Sequence, residues 1–456
     1  QRGGEAAVGA MVDFHKLFLQ ALSLPAELLL HSNYTLCFWG TVLALAWLRA
    51  PSAALLALLA ALFALLGSYG KRPCPLPRYQ GPLDVWLGRS YRASTLTPDM
   101  PANNNVSIST FLGKHVIAYR KAESHFASPT ARIVVATCEA GGDLGAWQEV
   151  WHYHTGEDDL RETLFFQMQG RLFLYFACLA PLKRGFTPRR MSWTSTRDLV
   201  AWTKPVEMTR DSEITWDVQV REEGAGREVA YKVSYTGNHY AAGAVLSVHF
   251  ERSTDGEAWH PVGKDSIVYS GGISEVSFAF TPEGHLVAIG RNEDGDATGF
   301  GSQLFYADKA DLGAWTPLRV SLPYRFDSPR LRCIEGELLL FARFARERYC
   351  LTPKWVPFDI QRTVNLVLYS LLPKSAAVYR LRLPEKGGAW HARPVEMLRC
   401  LEETHGDTGF FSLAPCGEDW VIANYSSSCH SHAPWLYGQV FATDVYVCRC
   451  KVLRTP

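Results

Sequence analysis

Acidic residues, arginines and an asparagine recur at one kind of position in this chain of 456 residues, where a short apolar run begins or where the run after it ends. These candidate site residues are Arg161, Asp217, Glu275, Arg291, Arg330, Asp407 and Asn424. Guanidinium groups grip carboxylates through paired hydrogen bonds, so converging arginines with a few carboxylates suit an anionic or polyhydroxylated ligand. The same set equally suits a polar plug on the axis of a closed sheet structure, and the sequence leaves both readings open.

The apolar runs are spaced like the strands of repeated β-hairpins. Residues 276–280 (VSFAF), for example, are followed by the turn Pro282-Glu283-Gly284 and then by residues 285–289 (HLVAI). Such runs, bounded by turn residues, are typical of paired strands. Six units of this kind begin near residues 104, 161, 216, 275, 328 and 408.

One phrase marks four of these units: an aspartate stands four residues before a tryptophan at 143–147, 198–202, 255–259 and 311–315. The tryptophans are 55, 57 and 56 residues apart, and a degenerate fifth copy ends at Trp390. A fixed period of this length is typical of units that assemble because none buries its apolar face alone. We therefore predict an all-β fold, a six-bladed β-propeller over residues 100–456, with the tryptophans at equivalent positions.

The N-terminal part has a different composition. Residues 36–69 carry a single formal charge, Arg49, and are otherwise apolar or small. About 20 such residues can span a bilayer as a helix, and Pro51 favours a break. We expect an amphipathic helical region at 1–35, a transmembrane span or a helical hairpin at 36–70 and a linker at 71–99. This organisation predicts a protein anchored in a membrane, with lipid as a partner; the sequence does not identify the membrane.

Overall charge and motif content exclude several classes of function. The formal net charge is +1, and no run of basic residues or phosphate-binding glycine loop is present, so we expect no nucleic-acid partner. Eleven cysteines are spread without the spacing of a zinc site. No cofactor and no metal are expected.

The Asp-x-x-x-Trp phrases, the six units and the spacing of Ser274-Glu275 from Arg291 resemble the sialidase superfamily, whose repeat is also called the Asp-box, over residues 100–453. The resemblance implies a glycoside hydrolase in which Glu275 polarises a tyrosine nucleophile. It also implies that Arg291 belongs to a clamp of three arginines on the sialic acid carboxylate. Arg330, or else Arg325, would be the fifth-blade arginine of that clamp.

The chain departs from the family pattern at three places. Phe410 stands where the family has its tyrosine, and Asn103-Asn104-Asn105 replace the first-blade arginine. The first-blade acid is not evident either, because residues 120–128 offer only Glu123 and His125 for that role. Ordinary sialidase activity is therefore expected to be weak or absent, and hydrolysis would need another nucleophile, such as Tyr425 or a water activated by Asp407.

Two functions follow from these observations. The first is a membrane-anchored, sialidase-like propeller that recognises an anionic glycan, with hydrolysis by an altered mechanism left open. The alternative is a non-catalytic accessory subunit of a membrane protein complex. The inserts at 346–368 and 427–438 discriminate between them, according to whether they leave the axial face open or cover it.

Overall fold

The computed structural model describes residues 83–84, 91–95, 97–180, 187–224, 226–241, 243–318, 322, 325–345, 355–371, 374–382, 395–401, 407–427, 435–440 and 442–452. The predictions for residues 1–82, including the membrane segment, and for Trp390 lie outside this part. Within it, no helix is both long enough and apolar enough to cross a bilayer.

The described residues form β-strands with two helices on one side. In chain order the strands are β1 (Leu83–Asp84), β2 (Tyr91–Arg92), β3 (Ala102–Phe111), β4 (Lys114–Ala122), β5 (Arg132–Glu139), β6 (Gln148–Tyr153), β7 (Asp159–Met168), β8 (Arg171–Ala180), β9 (Thr187–Thr196), β10 (Val206–Glu207), β11 (Ile214–Glu223), β12 (Arg227–Thr236), β13 (Leu246–Ser253), β14 (His260–Pro261), β15 (Ile267–Gly271), β16 (Ile273–Phe280), β17 (Leu286–Asp296), β18 (Gly299–Ala307), β19 (Thr316–Pro317), β20 (Asp327–Ile334), β21 (Glu337–Ala345), β22 (Lys374–Leu381), β23 (Val395–Leu401), β24 (Thr408–Cys416), β25 (Asp419–Ser427) and β26 (Thr443–Val452). The helices are α1 (Phe358–Leu371) and α2 (Trp435–Val440).

The strands form a propeller, as the sequence predicts. Four antiparallel sheets are separate: β7–β10, β11–β15, β16–β19 and β20–β23. A nine-stranded sheet joins β24–β26, with β1 and β2, to β3–β6 through one parallel pair, Thr443 and Ala102. With its two halves counted separately, the described residues form six blades, numbered 1 (β3–β6) to 6 (β24–β26). The first strand of each blade contacts the first strand of the next, and β24 contacts β3, so the ring closes.

Burial falls from the axis outwards. Nearly every residue of β3 is buried, whereas β6, at the outer edge of the same blade, is mostly exposed. The apolar faces of neighbouring blades pack against each other; Phe166 and Phe173 of blade 2, for instance, stack with centroids 4.8 Å apart and belong to the same cluster as Trp216 of blade 3. Such packing leaves only short sheet edges exposed.

The four Asp-x-x-x-Trp phrases occupy equivalent turns, each between the third and fourth strands of blades 1 to 4. The aspartate fixes the turn: Asp198 Oδ1 accepts the backbone N–H groups of Val200 and Ala201 at 2.9 and 2.8 Å. The indole then packs on the preceding blade, as Trp202 does on Trp151 with centroids 5.3 Å apart. This repeat therefore builds the fold and lies at the end of the propeller opposite the first-strand starts.

The segment just before blade 1 also takes part in the sheet. β1 and β2 pair with β26, the third strand of blade 6. Ser94 accepts the N–H of Val445 at 3.0 Å and donates to Asp444 at 3.0 Å, which fastens this segment to the same strand. Part of the stretch expected as a linker thus contributes to the last blade.

Candidate functional site

A bulge recurs near the start of the first strand in each blade. In five blades it places a residue in the left-handed region of the backbone; these residues and their φ angles are Asn105 (52°), Glu162 (56°), Glu275 (49°), Ser328 (48°) and Phe410 (53°). In blade 3 the register shifts at Trp216 instead. Non-glycine residues adopt this conformation at an energetic cost, which the surrounding sheet must offset. Repetition of the same strained position marks this end of the propeller as a candidate site.

These bulge residues meet around the axis. The indole of Trp216 in blade 3 lies 5.2 Å from the ring of Phe410 in blade 6, so the two aromatic rings close the centre. Asn105 Nδ2 donates to Glu162 Oε2 at 3.2 Å, and Glu275 Oε2 accepts the N–H of Ser328 at 2.8 Å. The axis therefore carries an aromatic plug beside two buried carboxyl groups.

Buried side chains of alternating charge, here called the charge network, extend from blade 4 to blade 6. Glu275 Oε1 lies 2.8 Å from Arg291 Nη1, and Arg291 Nε lies 3.9 Å from Asp327. Arg343 extends this charge network, since it lies 3.4 Å from Asp327 and 3.0 Å from Asp407. All five side chains are at most 8% exposed, so solvent and salt screen the attraction between these charges much less than at the surface.

Asp327 is the centre of the charge network. Its Oδ1 accepts from Arg325 Nε at 2.5 Å and its Oδ2 accepts from the hydroxyl of Tyr369 on α1. Arg325 also pairs with Glu293 at 2.8 Å. Three arginines, from the ends of β17 and β21 and the approach to β20, thus surround one carboxylate.

Asp407 anchors the blade 6 end. Its Oδ1 accepts from the hydroxyl of Tyr425 at 2.9 Å and from Arg343. Its Oδ2 lies 2.6 Å from His125 Nδ1 and 2.7 Å from Gln439 Nε2 on α2. A fully buried carboxylate with four partners is held in one orientation and stays ionised.

Arg330 and Asp217 lie outside the charge network and contact the aromatic plug formed by Trp216 and Phe410. Arg330 Nε donates to the carbonyl of Phe411 at 3.1 Å, Nη1 donates to the carbonyl of Trp216, and the guanidinium lies 5.1 Å from the Trp216 ring. Asp217 lies 3.9 Å from Arg330 and accepts two hydrogen bonds from Arg332, at 2.8 and 3.0 Å.

The remaining two predicted residues are Arg161 in blade 2 and Asn424 in blade 6. Arg161 donates from Nε to Asp159 at 2.6 Å and from Nη2 to the carbonyl of His125 at 3.1 Å. Asn424 pairs with Tyr446 in the sheet, and its Nδ2 makes no hydrogen bond to the described residues. The structure therefore brings Glu275, Arg291 and Asp407 into one charge network. Arg161 lies next to it, where it contacts His125.

The environment separates the acids by protonation state. Burial raises the pKa of Glu162 to about 7, and burial also raises the pKa of Glu275 despite the charge of Arg291. Burial acts in the same direction on Asp407, but its interactions with His125 and Arg343 and the hydrogen bond from Tyr425 outweigh it and lower the pKa of that carboxyl. Acids that differ in this way can serve as proton donor and as fixed negative charge in one site.

Several buried polar atoms at this end make no hydrogen bond to the described residues. They include Nη2 of Arg291, Nε of Arg343, Oγ of Ser328 and Oδ1 of Asn105. An unpaired buried donor costs roughly 1–3 kcal/mol. Arg343 Nε makes no hydrogen bond to the described residues, and Arg291 Nη2 faces Glu293 at 3.4 Å without forming one. A bound acceptor would give both donors a hydrogen bond.

The site is covered in this structure. α1 contributes Tyr369, α2 contributes Gln439, and Arg362 of α1 donates to the carbonyl of Asp294 at 3.0 Å. A small cavity lies beside Arg291 and is lined by His239, Ala244, Leu246, Gly272, Ser274, Glu293 and Asp294; its volume of about 10 Å³ is room for roughly one water molecule. A sugar therefore needs the cover to shift.

Sequence reasoning missed Asp159, Glu162, Glu293, Asp327 and Tyr369. Glu162 and Asp327 were within reach, because they stand at the start of the first strand in their blades, as Glu275 does. Tyr369 lies at the end of α1, between β21 and β22 of blade 5, and no local signal connects it to Asp327. Among the described residues, no group of three or more His, Cys, Asp or Glu side chains is placed to hold a metal ion.

No protein-family model matches the chain, and no curated protein matches it in sequence. Solved structures with a similar fold include Trypanosoma rangeli sialidase (TM-score 0.47, 10% identity, 82% of this chain and 60% of that chain). Others are the phage phi92 endosialidase (0.47, 9%, 80% and 69%) and an alpha-L-arabinanase of Penicillium chrysogenum complexed with arabinobiose (0.45, 12%, 79% and 97%).

The chain spans 60% of the Trypanosoma rangeli sialidase and 59% of a mutant of it that displays trans-sialidase activity. All these TM-scores lie below 0.5.

Proposed function

We propose that the propeller binds a glycan at its axial face and that Arg291 and Arg343 recognise an anionic or hydroxyl-rich part of it. The observation that carries this proposal is a pair of buried donors on either side of Asp327. Arg343 Nε makes no hydrogen bond to the described residues, and Arg291 Nη2 lies 3.4 Å from Glu293 without forming one. A polar plug that only filled the axis would gain stability by pairing these groups within the protein. Charge-assisted hydrogen bonds to a sugar carboxylate or hydroxyl would pair them instead.

Hydrolysis of a sialoside by the usual route is not part of this proposal. Phe410 has no group that could attack an anomeric carbon. Tyr425 lies 5.9 Å from Phe410 between ring centroids, but its hydroxyl is fully buried and donates to Asp407. Burial and the Asp407 charge raise the pKa of Tyr425 well above its ordinary value, so its phenol is a poor nucleophile in this arrangement.

The covered axial face favours a second candidate, a non-catalytic accessory subunit of a membrane complex. α1 and α2 place Tyr369 and Gln439 on the two carboxylates that a ligand would approach. If those contacts were permanent, the charge network would serve to make the propeller rigid. The glycan proposal instead requires that ligand binding displaces them.

Membrane anchoring through residues 36–70 is proposed on the sequence composition alone. Deletion of residues 1–72 keeps β1, β2 and every blade, so the shortened chain should be soluble without detergent and the full chain should not be. Solubility of the full-length chain in plain buffer would contradict the anchor.

A glycan array tests the proposed function and discriminates between the two candidates. Labelled full-length protein in detergent is applied to anionic and neutral glycans, beside Arg291→Ala and the control Arg197→Ala. Arg197 is exposed and lies at the opposite end of blade 2. We expect anionic glycans to bind, the axial variant to lose this binding and the control to keep it; absence of any glycan bound by the wild type would favour the accessory role.

A further inference from the structure

The segment between β4 and β5 is fixed with unusual completeness around one side chain, His125. Arg120 donates to the carbonyls of Ser124 and Phe126 at 2.8 and 2.7 Å. Arg161 donates to the carbonyl of His125, and the His125 N–H donates to the carbonyl of Gln439 at 3.0 Å. Four hydrogen bonds to three consecutive residues hold this loop as firmly as a strand.

One buried acid stands behind both arginines. Asp159 accepts from Arg120 Nε at 2.9 Å through one oxygen and from Arg161 Nε at 2.6 Å through the other. These three side chains are at most 4% exposed. Functional groups that must keep one orientation are supported in this way, by a layer of groups that do not themselves meet the ligand.

The hydrogen bonds define which nitrogen of His125 carries the proton. An ionised carboxylate accepts only, so the 2.6 Å contact with Asp407 Oδ2 requires a proton on Nδ1. In the neutral ring, Nε2 then has a free lone pair, and it makes no hydrogen bond to the described residues. The side chain is 10% exposed, so the ring is mostly enclosed without being sealed off.

We propose that His125, oriented by Asp407, is the proton-transfer group of the axial site, with Nε2 accepting a proton from a water or a sugar hydroxyl. The transfer moves one proton from oxygen to Nε2, and the positive charge formed on the ring faces the Asp407 carboxylate. A carboxylate that fixes the tautomer of an imidazole and stabilises its charged form is a recurrent arrangement for this task. The inference rests on the proposed function for the ligand that would share this space.

The charged groups around the ring support a neutral resting state. Burial lowers the pKa of His125, and the charges of Arg161 and Arg120 act in the same direction, while Asp407 opposes them. Gln439 on α2 and Tyr425 on β25 are the uncharged polar neighbours, at 3.2 Å from Nδ1 and with ring centroids 5.8 Å apart. A ring kept neutral near pH 7 can accept a proton there, which a ring already charged cannot.

Acylation of imidazole nitrogen by diethyl pyrocarbonate, followed residue by residue with mass spectrometry on the full-length protein in detergent, tests this inference. Two histidines of the chain are internal references. The ring of His152 is 52% exposed, whereas His249 is buried with both nitrogens hydrogen-bonded, to Thr236 and Ser266. At pH 7 we expect His125 to be modified and His249 to stay unmodified.

The dependence on pH supplies a second readout. The rate at His125 should fall on acidification with a midpoint below 6.5, the ordinary value for histidine. Asp407→Asn removes the charge that favours the protonated ring, so the midpoint should fall further. If it falls by one pH unit, the variant should be modified about ten times faster than the wild type at any pH below both midpoints. If His125 stayed unmodified at pH 7, as His249 is expected to, or if its midpoint in the wild type lay at or above 6.5, the assignment would be overturned without any variant.

Adding 3′-sialyllactose separates this inference from the proposed function. Slower modification of His125 but not of His152 supports both. Modification that is unchanged by sialyllactose, with the expected pH midpoint, would leave the assignment of His125 in place and count against the glycan. Lack of modification at His125 would refute the assignment whatever glycan binds.

Discussion

Glu162→Gln isolates the energetic consequence of burying a carboxyl group at the axis. Burial raises the pKa of Glu162 from 4.5 to about 7. The folded protein therefore holds the proton more tightly than the unfolded chain, and Glu162 destabilises the fold progressively as the pH rises from about 4.5 to about 7. At 1.36 kcal/mol per unit, the full effect above pH 7 is about 3 kcal/mol.

Glutamine keeps the shape and still accepts the hydrogen bond from Asn105 Nδ2, but it cannot ionise. The variant should match the wild type in unfolding free energy near pH 4.5 and exceed it by roughly 2–3 kcal/mol at pH 7.5. Urea unfolding followed by tryptophan fluorescence measures both values. Glu207→Gln, at a side chain 62% exposed, is the control and should show no such trend; a difference for Glu162→Gln that is the same at both pH values would refute the reasoning.

Three other predictions concern the plug, the cover and the chemistry. Asp217→Asn leaves Arg332 and Arg330 without their buried counter-charge and should cost about 3–5 kcal/mol in urea unfolding; a loss below 1 kcal/mol would contradict the bracing role. A Cβ at Gly438 would clash with Asp407 and Ser427, so Gly438→Ala should destabilise the fold by about 1–3 kcal/mol, and an unchanged melting temperature would show that α2 is not seated as described. Wild-type protein and Phe410→Tyr are assayed together on a fluorogenic sialoside; weak or absent turnover is expected for the wild type, and robust turnover abolished by Glu275→Gln would overturn this view.

The propeller could be predicted because its determinants are local and repeated. The Asp-x-x-x-Trp turn uses only neighbouring residues, as Asp198 and the N–H groups beside it illustrate. Each copy therefore leaves the same trace in the sequence, and the spacing of Trp147, Trp202, Trp259 and Trp315 gives the length of one blade directly.

The site was only partly predictable, because bulges and long-range contacts decide it. A register shift between Asp327 and Arg330 changes which side chains of β20 face the top of the site. A shift of one residue in a strand moves its side chains to the other face. Arg330 consequently meets Trp216, whereas Arg343, at the end of the next strand, meets Asp327 and Asp407.

The partners of His125 show the same limit. Asp407 is 282 residues away in the chain and Gln439 is 314 residues away. Neither pairing follows a local pattern that composition or periodicity could reveal. The sequence of residues 120–128 shows that His125 is a titrating group, but only the fold shows which residues orient its ring.

The most direct test of glycan recognition is a calorimetric titration of the strongest anionic array ligand into detergent-solubilised, full-length protein. We expect saturable binding by the wild type. Arg291→Ala should weaken it by about 1.5–3 kcal/mol, the range for a hydrogen bond to a charged group, which is roughly ten- to 150-fold in the dissociation constant. Arg197→Ala should bind as the wild type does. Equal affinity of wild type and Arg291→Ala, or an equal loss in Arg197→Ala, would contradict recognition by the axial arginines.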